Sequence, residues 1–178
     1  MDATRSYVRV YNIDAQSAKD FEFDYDTAGV EKSSSDILTE LVPNLDHWGE
    51  IGWMEVLDYE YNLEGKTIHL LLETKSATPL RWLQQASNDV PYFKNKLITM
   101  STIQHDDTRV TGTATIDGEI LQNKTIWSMG TEEVAKYYDD EEDRYDLDRL
   151  DNQIWDSIQK FVNICEQYYT EEPGEKND

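Results

Sequence analysis

Carboxylates dominate any chemistry this sequence could do. The 178 residues include 37 Asp and Glu against 16 Lys and Arg, a formal net charge of −21. The densest run is Asp139, Asp140, Glu141, Glu142 and Asp143, followed closely by Asp146, Asp148 and Asp151. Oxygen ligands at such spacing raise the question of calcium. An EF-hand loop needs ligands at positions 1, 3 and 5, Gly at 6 and a bidentate Glu at 12. Counted from Asp146, the third ligand is displaced, position 6 is Asp151 and position 12 is Ser157. The reading is loose cation condensation on residues 139–143, with no specific metal site. His47, His69 and His105 are scattered, and no two share the spacing of a helical zinc site. Cys165 is alone, so neither a disulfide nor a cysteine zinc site forms within one chain. No nucleophile elbow, P-loop or GxGxxG stretch is present. No catalytic residue, cofactor or metal is expected, and the chain is read as no enzyme.

A row of carboxylates can do something else: it can imitate phosphates. Acids at i and i+2 on a strand stand about 6.6 Å apart, from a rise of about 3.3 Å per residue. Acids at i and i+4 on a helix stand about 6 Å apart, from 1.5 Å per residue. Phosphates on one nucleic-acid strand advance about 3.4 Å in axial rise, somewhat more along the backbone. Candidate residues for such a row are Glu22, Asp24 and Asp26, the pair Asp58 and Glu60, and Asp139, Asp140, Glu141, Glu142, Asp143, Asp146, Asp148 and Asp151. The competing reading is a solvated acidic face with no partner. A net charge of −21 repels nucleic acid and anionic membranes and attracts basic surfaces. The expected partner is a basic nucleic-acid-binding protein, with no direct contact to nucleic acid or membrane.

These residues need elements to position them. A hydrophobic content of 38%, with 5 Trp and 11 Tyr, is enough for a core. "YVRVYNI" (Tyr7–Ile13) is rich in β-branched and aromatic residues and reads as a strand. "FEFDYD" (Phe21–Asp26) alternates strictly between aromatics and acids, the period of a half-buried strand. "SSSDILTELV" reads as a capped helix stopped by Pro43. "WMEVLDYEYN" and "KTIHLLLET" form a hairpin turning near Glu64-Gly65. "TPLRWLQQASND" reads as a helix with Thr78 as N-cap, Pro79 at its first position, and Leu80, Leu83 and Ala86 on one face. Three more strands, "NKLITMSTIQ", "TRVTGTATI" and "EILQNKTIW", follow, the last two joined by Asp117-Gly118, a strong hairpin signal.

This order predicts an α+β fold: a ferredoxin-like antiparallel sheet with two helices, extra β-meander strands and a long acidic C-terminal helix. The character changes after Trp127. Residues 131–178 hold 16 acids and 5 bases. Within them Leu147, Leu150, Ile154, Ile158, Phe161, Cys165 and Tyr168 recur every three or four residues, the seam of an amphipathic helix. The expected organisation is a core over residues 1–127, an acidic linker and packed helix over 128–170, and a disordered tail over 171–178. Residues 139–143 fit a linker or helix start, where acids suit the positive end of the helix dipole. No signal peptide and no apolar run of membrane-spanning length are read, so a cytoplasmic protein is expected.

The central stretches "WGEIGW" (Trp48–Trp53), "LLLETKSATPLRWL" (Leu70–Leu83), "FKNKLITMSTIQ" and "TRVTGTATIDGEIL" occur in that order. Over residues 45–122 the chain resembles an uncharacterised phage- and pathogenicity-island-borne family of small proteins with a ferredoxin-like domain. That family shows a Trp-Gly-x-x-Trp type motif and a Thr-Ala-Trp-Ser-Pro-Pro-like junction. Here the first motif has an extra residue, and the junction reads Lys75-Ser76-Ala77-Thr78-Pro79. The resemblance implies the fold and a mobile-element origin, and no activity. The functional expectation is a non-enzymatic, phage- or mobile-element-encoded nucleic-acid mimic that inhibits a basic host defence protein from the host cytoplasm. The alternative is an assembly protein that self-associates as a homodimer through its C-terminal helix.

Overall fold

The computed structural model describes residues 4–19, 54–75, 78–104, 109–141, 144–145 and 147–170. Their elements are β1 (Thr4–Val10), β2 (Met54–Asn62), β3 (Thr67–Thr74), α1 (Leu80–Asp89), β4 (Ile98–Gln104), β5 (Arg109–Ile116), β6 (Glu119–Ser128), α2 (Thr131–Ala135), β7 (Tyr138–Asp139), β8 (Arg144–Tyr145) and α3 (Leu147–Tyr169). The expected strand over Phe21–Asp26, the helix before Pro43 and the tail 171–178 lie outside the described residues.

The fold is α+β. Six strands form one antiparallel sheet in the order β2-β3-β1-β4-β5-β6. β1 pairs with β3 on one side and β4 on the other. Two chain crossings therefore each skip one strand: β1 to β2 passes over β3, and β3 to β4 passes over β1 by way of α1. β4, β5 and β6 then follow as a simple meander.

Alternation along β1 sets the two layers. Thr4, Ser6, Val8 and Val10 are buried, while Arg5, Tyr7 and Arg9 face the opposite side. Val8 and Val10 join Ile68, Leu70, Leu72, Ile98 and Met100 beneath Trp82, Leu83 and Ala86 of α1. Ser6 and Thr102 share a buried hydroxyl hydrogen bond of 2.9 Å on that face. The second core lies on the other face, where α3 sets Ile154, Ile158, Phe161, Val162 and Cys165 over Val110 and Ala114.

α3 crosses the strands rather than running along them. Its Trp155 ring meets Tyr7 of β1 edge-on at 4.6 Å. Phe161 covers Gly112 of β5. The Gln122 side chain of β6 donates a 3.0 Å hydrogen bond to the Tyr169 hydroxyl. Small residues make this close approach possible: Ser101 and Gly112 are register partners in the floor under the helix.

Several local expectations are corrected. β1 begins at Thr4 and ends at Val10, because Asn12 adopts a left-handed φ of 59° that no strand continues through. α1 starts at Leu80, with Pro79 as its cap residue and no side-chain cap, so Thr78 does not cap it. Trp82, not Leu80, joins Leu83 and Ala86 in the core. The acids at 139–143 do not start α3: Asp139 lies in β7, whose partner is β8, and α3 begins at Leu147. Tyr168 of the seam is 65% exposed.

Both hairpins form where their turn residues require. The Gly65 N–H donates to Asn62 Oδ1 at 2.8 Å, and Lys66 takes a φ of 54°. At the β5–β6 turn both central residues have positive φ, Asp117 at 51° and Gly118 at 81°, the type I′ pattern. Buried Ser87 of α1 accepts the Gly118 N–H at 3.0 Å, which ties this turn to the helix.

Candidate acidic interaction surface

A β-bulge decides how β2 presents its acids. The register with β3 slips between Val56 and Asp58, leaving Leu57 as the extra residue. Val56 stays in the α1-side core, while Tyr59 and Tyr61 pack against it beyond the bulge. Asp58 and Glu60 therefore turn to the opposite face, where both are exposed.

On that face Asp58 is opposite Leu71, which is opposite Tyr7; Glu60 is opposite His69, which is opposite Arg9. Two strand spacings of about 4.8 Å separate each acid from its β1 counterpart. Asp151 of α3 is exposed and reaches Tyr7 from the other side: its charge adds to the burial that raises the Tyr7 hydroxyl above its ordinary pKa, while Arg5 opposes both. The sheet thus brings Asp58, Glu60 and Asp151 to one face, with Arg5 and Arg9 standing between the two groups. Arg5 also approaches Glu73 at 3.4 Å. A bifacial strand reading of "TRSYVRV" carries the signal for these arginines, since Arg5, Tyr7 and Arg9 alternate with the buried residues.

His69 sits between Arg9 and Glu60. Its Nε2 is 3.0 Å from the Thr67 hydroxyl. Burial pushes its pKa below the ordinary value, the Arg9 charge adds to this, and Glu60 opposes it. A neutral imidazole is the form the site favours.

The remaining candidates are placed as follows. Asp140 and Glu141 are exposed beside β7, Asp139 lies within β7, and Asp148 lies in the first turn of α3. Glu22, Asp24, Asp26, Glu142, Asp143 and Asp146 lie outside the described residues. Among the described residues no group of three or more His, Cys, Asp and Glu is arranged to hold a metal ion. Cys165 is buried under α3, and burial pushes its thiol up to about 11 despite the nearby Lys124 charge, so it is a core residue. An open polar basin at the C-terminal end of α1 is lined by Asn88, Asp89, Lys94, Asn95 and Asp117. No helix among the described residues is long and apolar enough to cross a membrane.

Charge is unevenly distributed along the chain. Residues 90–128, which build β4, β5 and β6, hold four acids and four bases. The whole formal charge of −21 therefore falls on the rest of the sequence.

The chain matches no family model, and no curated protein or solved structure shows significant similarity to it.

Proposed function

We propose that this chain is a non-enzymatic acidic binding protein that captures a basic, nucleic-acid-binding protein by presenting carboxylates in place of phosphates. The observation that carries this reading is the exposure of Asp58, Glu60 and Asp151 on one face of the sheet. β2 and residues 139–141 carry three acids each and no base, and such a surface makes a field that steers a cationic partner and weakens with salt. Arg5 and Arg9 divide the acidic face into two patches, which sets spacing requirements on the partner's basic groups. A mobile-element origin rests on the motif resemblance over residues 45–122, which carries no activity.

We extend the proposal to topology. The interleaved order β2-β3-β1-β4, with α1 joining β3 to β4, supports a ferredoxin-like core that β5 and β6 enlarge. The β1-to-β2 crossing runs through residues 20–53, outside the described part of the chain.

Self-association through the α3 seam is not favoured. Ile154, Ile158, Phe161 and Cys165 are buried against this chain's own sheet, so pairing through them would require α3 to leave it.

The test is capture at low salt on immobilised protein, followed by elution with double-stranded DNA. A nucleic-acid-binding protein that DNA displaces, and that the Asp58→Asn, Glu60→Gln variant holds less tightly, is the expected result. Retention of no such protein at low salt would sink the proposal.

A further inference from the structure

Trp155 is out of place for an indole. It is 45% exposed, although Ile158 and Val162, three and seven positions further along the same helix, are buried in the core beneath it. It stands on the flank of α3 that overlooks β1, where its ring meets Tyr7 edge-on at 4.6 Å and 66°. An edge-on contact occupies at most one face of an indole. The ring is therefore positioned by its own sheet while a large part of it stays in water. Burial of that remaining surface is left for a partner to supply.

Carboxylates adjoin that ring. Asp151 precedes Trp155 by four residues, which makes the two side chains neighbours on the helix surface, with Cβ atoms about 6 Å apart. The Asp151 charge acts on the Tyr7 hydroxyl, so Asp151, Tyr7 and Trp155 share one neighbourhood. Asp151 and Asp156 are both exposed, and residues 151–159 contain no base. The arginines of β1 are engaged elsewhere: Arg5 approaches Glu73 at 3.4 Å, and Arg9 acts on Tyr11 and His69.

We propose that Trp155 and Asp151 form an arginine-binding subsite: one guanidinium of the basic partner stacks on the open face of the indole and donates its N–H fork to the Asp151 carboxylate. The inference rests on the capture reading above and names the side chain that is captured. A guanidinium is flat and weakly hydrated, and it donates through its edge while its face stacks. A lysine ammonium is a compact, strongly hydrated point charge with no plane to lay on the ring. Nucleic-acid-binding proteins stack arginine planes on bases and pair arginines with phosphates. An indole beside a carboxylate offers both at once, a flat bicyclic ring in place of the base and an anion in place of the phosphate.

Salt separates this subsite from the wider acidic field. The net charge of −21 attracts any cation, arginine or lysine alike, and salt screens that attraction over about 10 Å. Stacking acts at contact and is screened far less. The preference for arginine over lysine therefore persists at salt that weakens the binding of both.

NMR titration of the full chain with capped Arg-Gly-Arg and Lys-Gly-Lys peptides provides the test. It is read at the Trp155 indole N–H, assigned by its loss in Trp155→Leu, and at the backbone amides of residues 151–159. The arginine peptide should bind there about threefold more tightly than the lysine peptide, at low and at high salt. Trp155→Leu should abolish that preference, and Trp155→Phe should keep part of it. Asp151→Asn changes an exposed residue, so the fold does not depend on it, and it should weaken the arginine peptide about threefold. Equal affinity for the two peptides overturns the inference, and so does an arginine preference that Trp155→Leu leaves intact. No response at residues 151–159 to either peptide overturns it as well. None of these outcomes prevents capture of a DNA-displaceable protein at low salt, so the capture reading stands or falls by its own test.

Discussion

A Cβ added to Gly112 would stand 2.8 Å from Cε1 and Cζ of Phe161, closer than real side chains approach. Gly112 is there for the space, since nothing about its backbone demands glycine. The contact joins the middle of β5 to the middle of α3 and fixes how near the helix lies to the sheet. Gly112→Ala should therefore destabilise by about 1–3 kcal/mol, as overpacking does. Urea unfolding checks the figure. Phe161→Leu should relieve the clash, so the double variant should lose less than the two single losses added together.

Trp155 and Tyr7 report the other end of α3. Their rings meet edge-on at 4.6 Å, although Trp155 is 45% exposed. A double-mutant cycle with Tyr7→Ala and Trp155→Ala should give a coupling of about 0.5–1.5 kcal/mol. Additive losses would mean that α3 does not reach β1.

His69 predicts a pH dependence. Its folded pKa lies below 6.5, chiefly because of burial. The unfolded chain therefore binds more protons near that pH, and folding opposes protonation. The stability His69 contributes is complete above the unfolded pKa and declines as pH falls through it towards the folded value. Carboxylate repulsion also changes with pH, so the comparison must be made with His69→Gln. The stability advantage of the natural protein over this variant should shrink between about pH 7.5 and pH 5.5 in urea unfolding.

Cys165 predicts inertness. With its thiol pushed up to about 11 from an ordinary 9.0, the folded chain holds roughly a hundredfold less thiolate at neutral pH. Aromatic disulfide reagents should label it at least that much more slowly in the folded protein than in urea. Rapid labelling of the native chain would place the α3 interface open to solvent.

The strands and hairpins were legible because local rules govern them. β-branched and aromatic runs marked β2 to β6, and Asp117-Gly118 marked a turn that only positive φ at both positions can make. The seam of α3 was legible for the same reason, with its period matching the helix. Its last residue was not: Tyr168 keeps the spacing but overhangs the sheet, and spacing says nothing about where the sheet ends. Residues 139–141 carried acids suited to a helix start, yet Tyr138 and Asp139 pair with Tyr145 and Arg144. That pairing depends on a contact between segments.

The sequence by itself determined strands β2 to β6, the period of α3 and the extreme charge, since each is a property of neighbouring residues. Only the tertiary structure decided which acids share a face. The bulge at Leu57 turns Asp58 and Glu60 to the α3 side, and β1 then sets Arg5 and Arg9 between them and Asp151. A one-residue slip in pairing exchanges the two faces of a strand, and that slip is settled by packing across the sheet rather than along the chain.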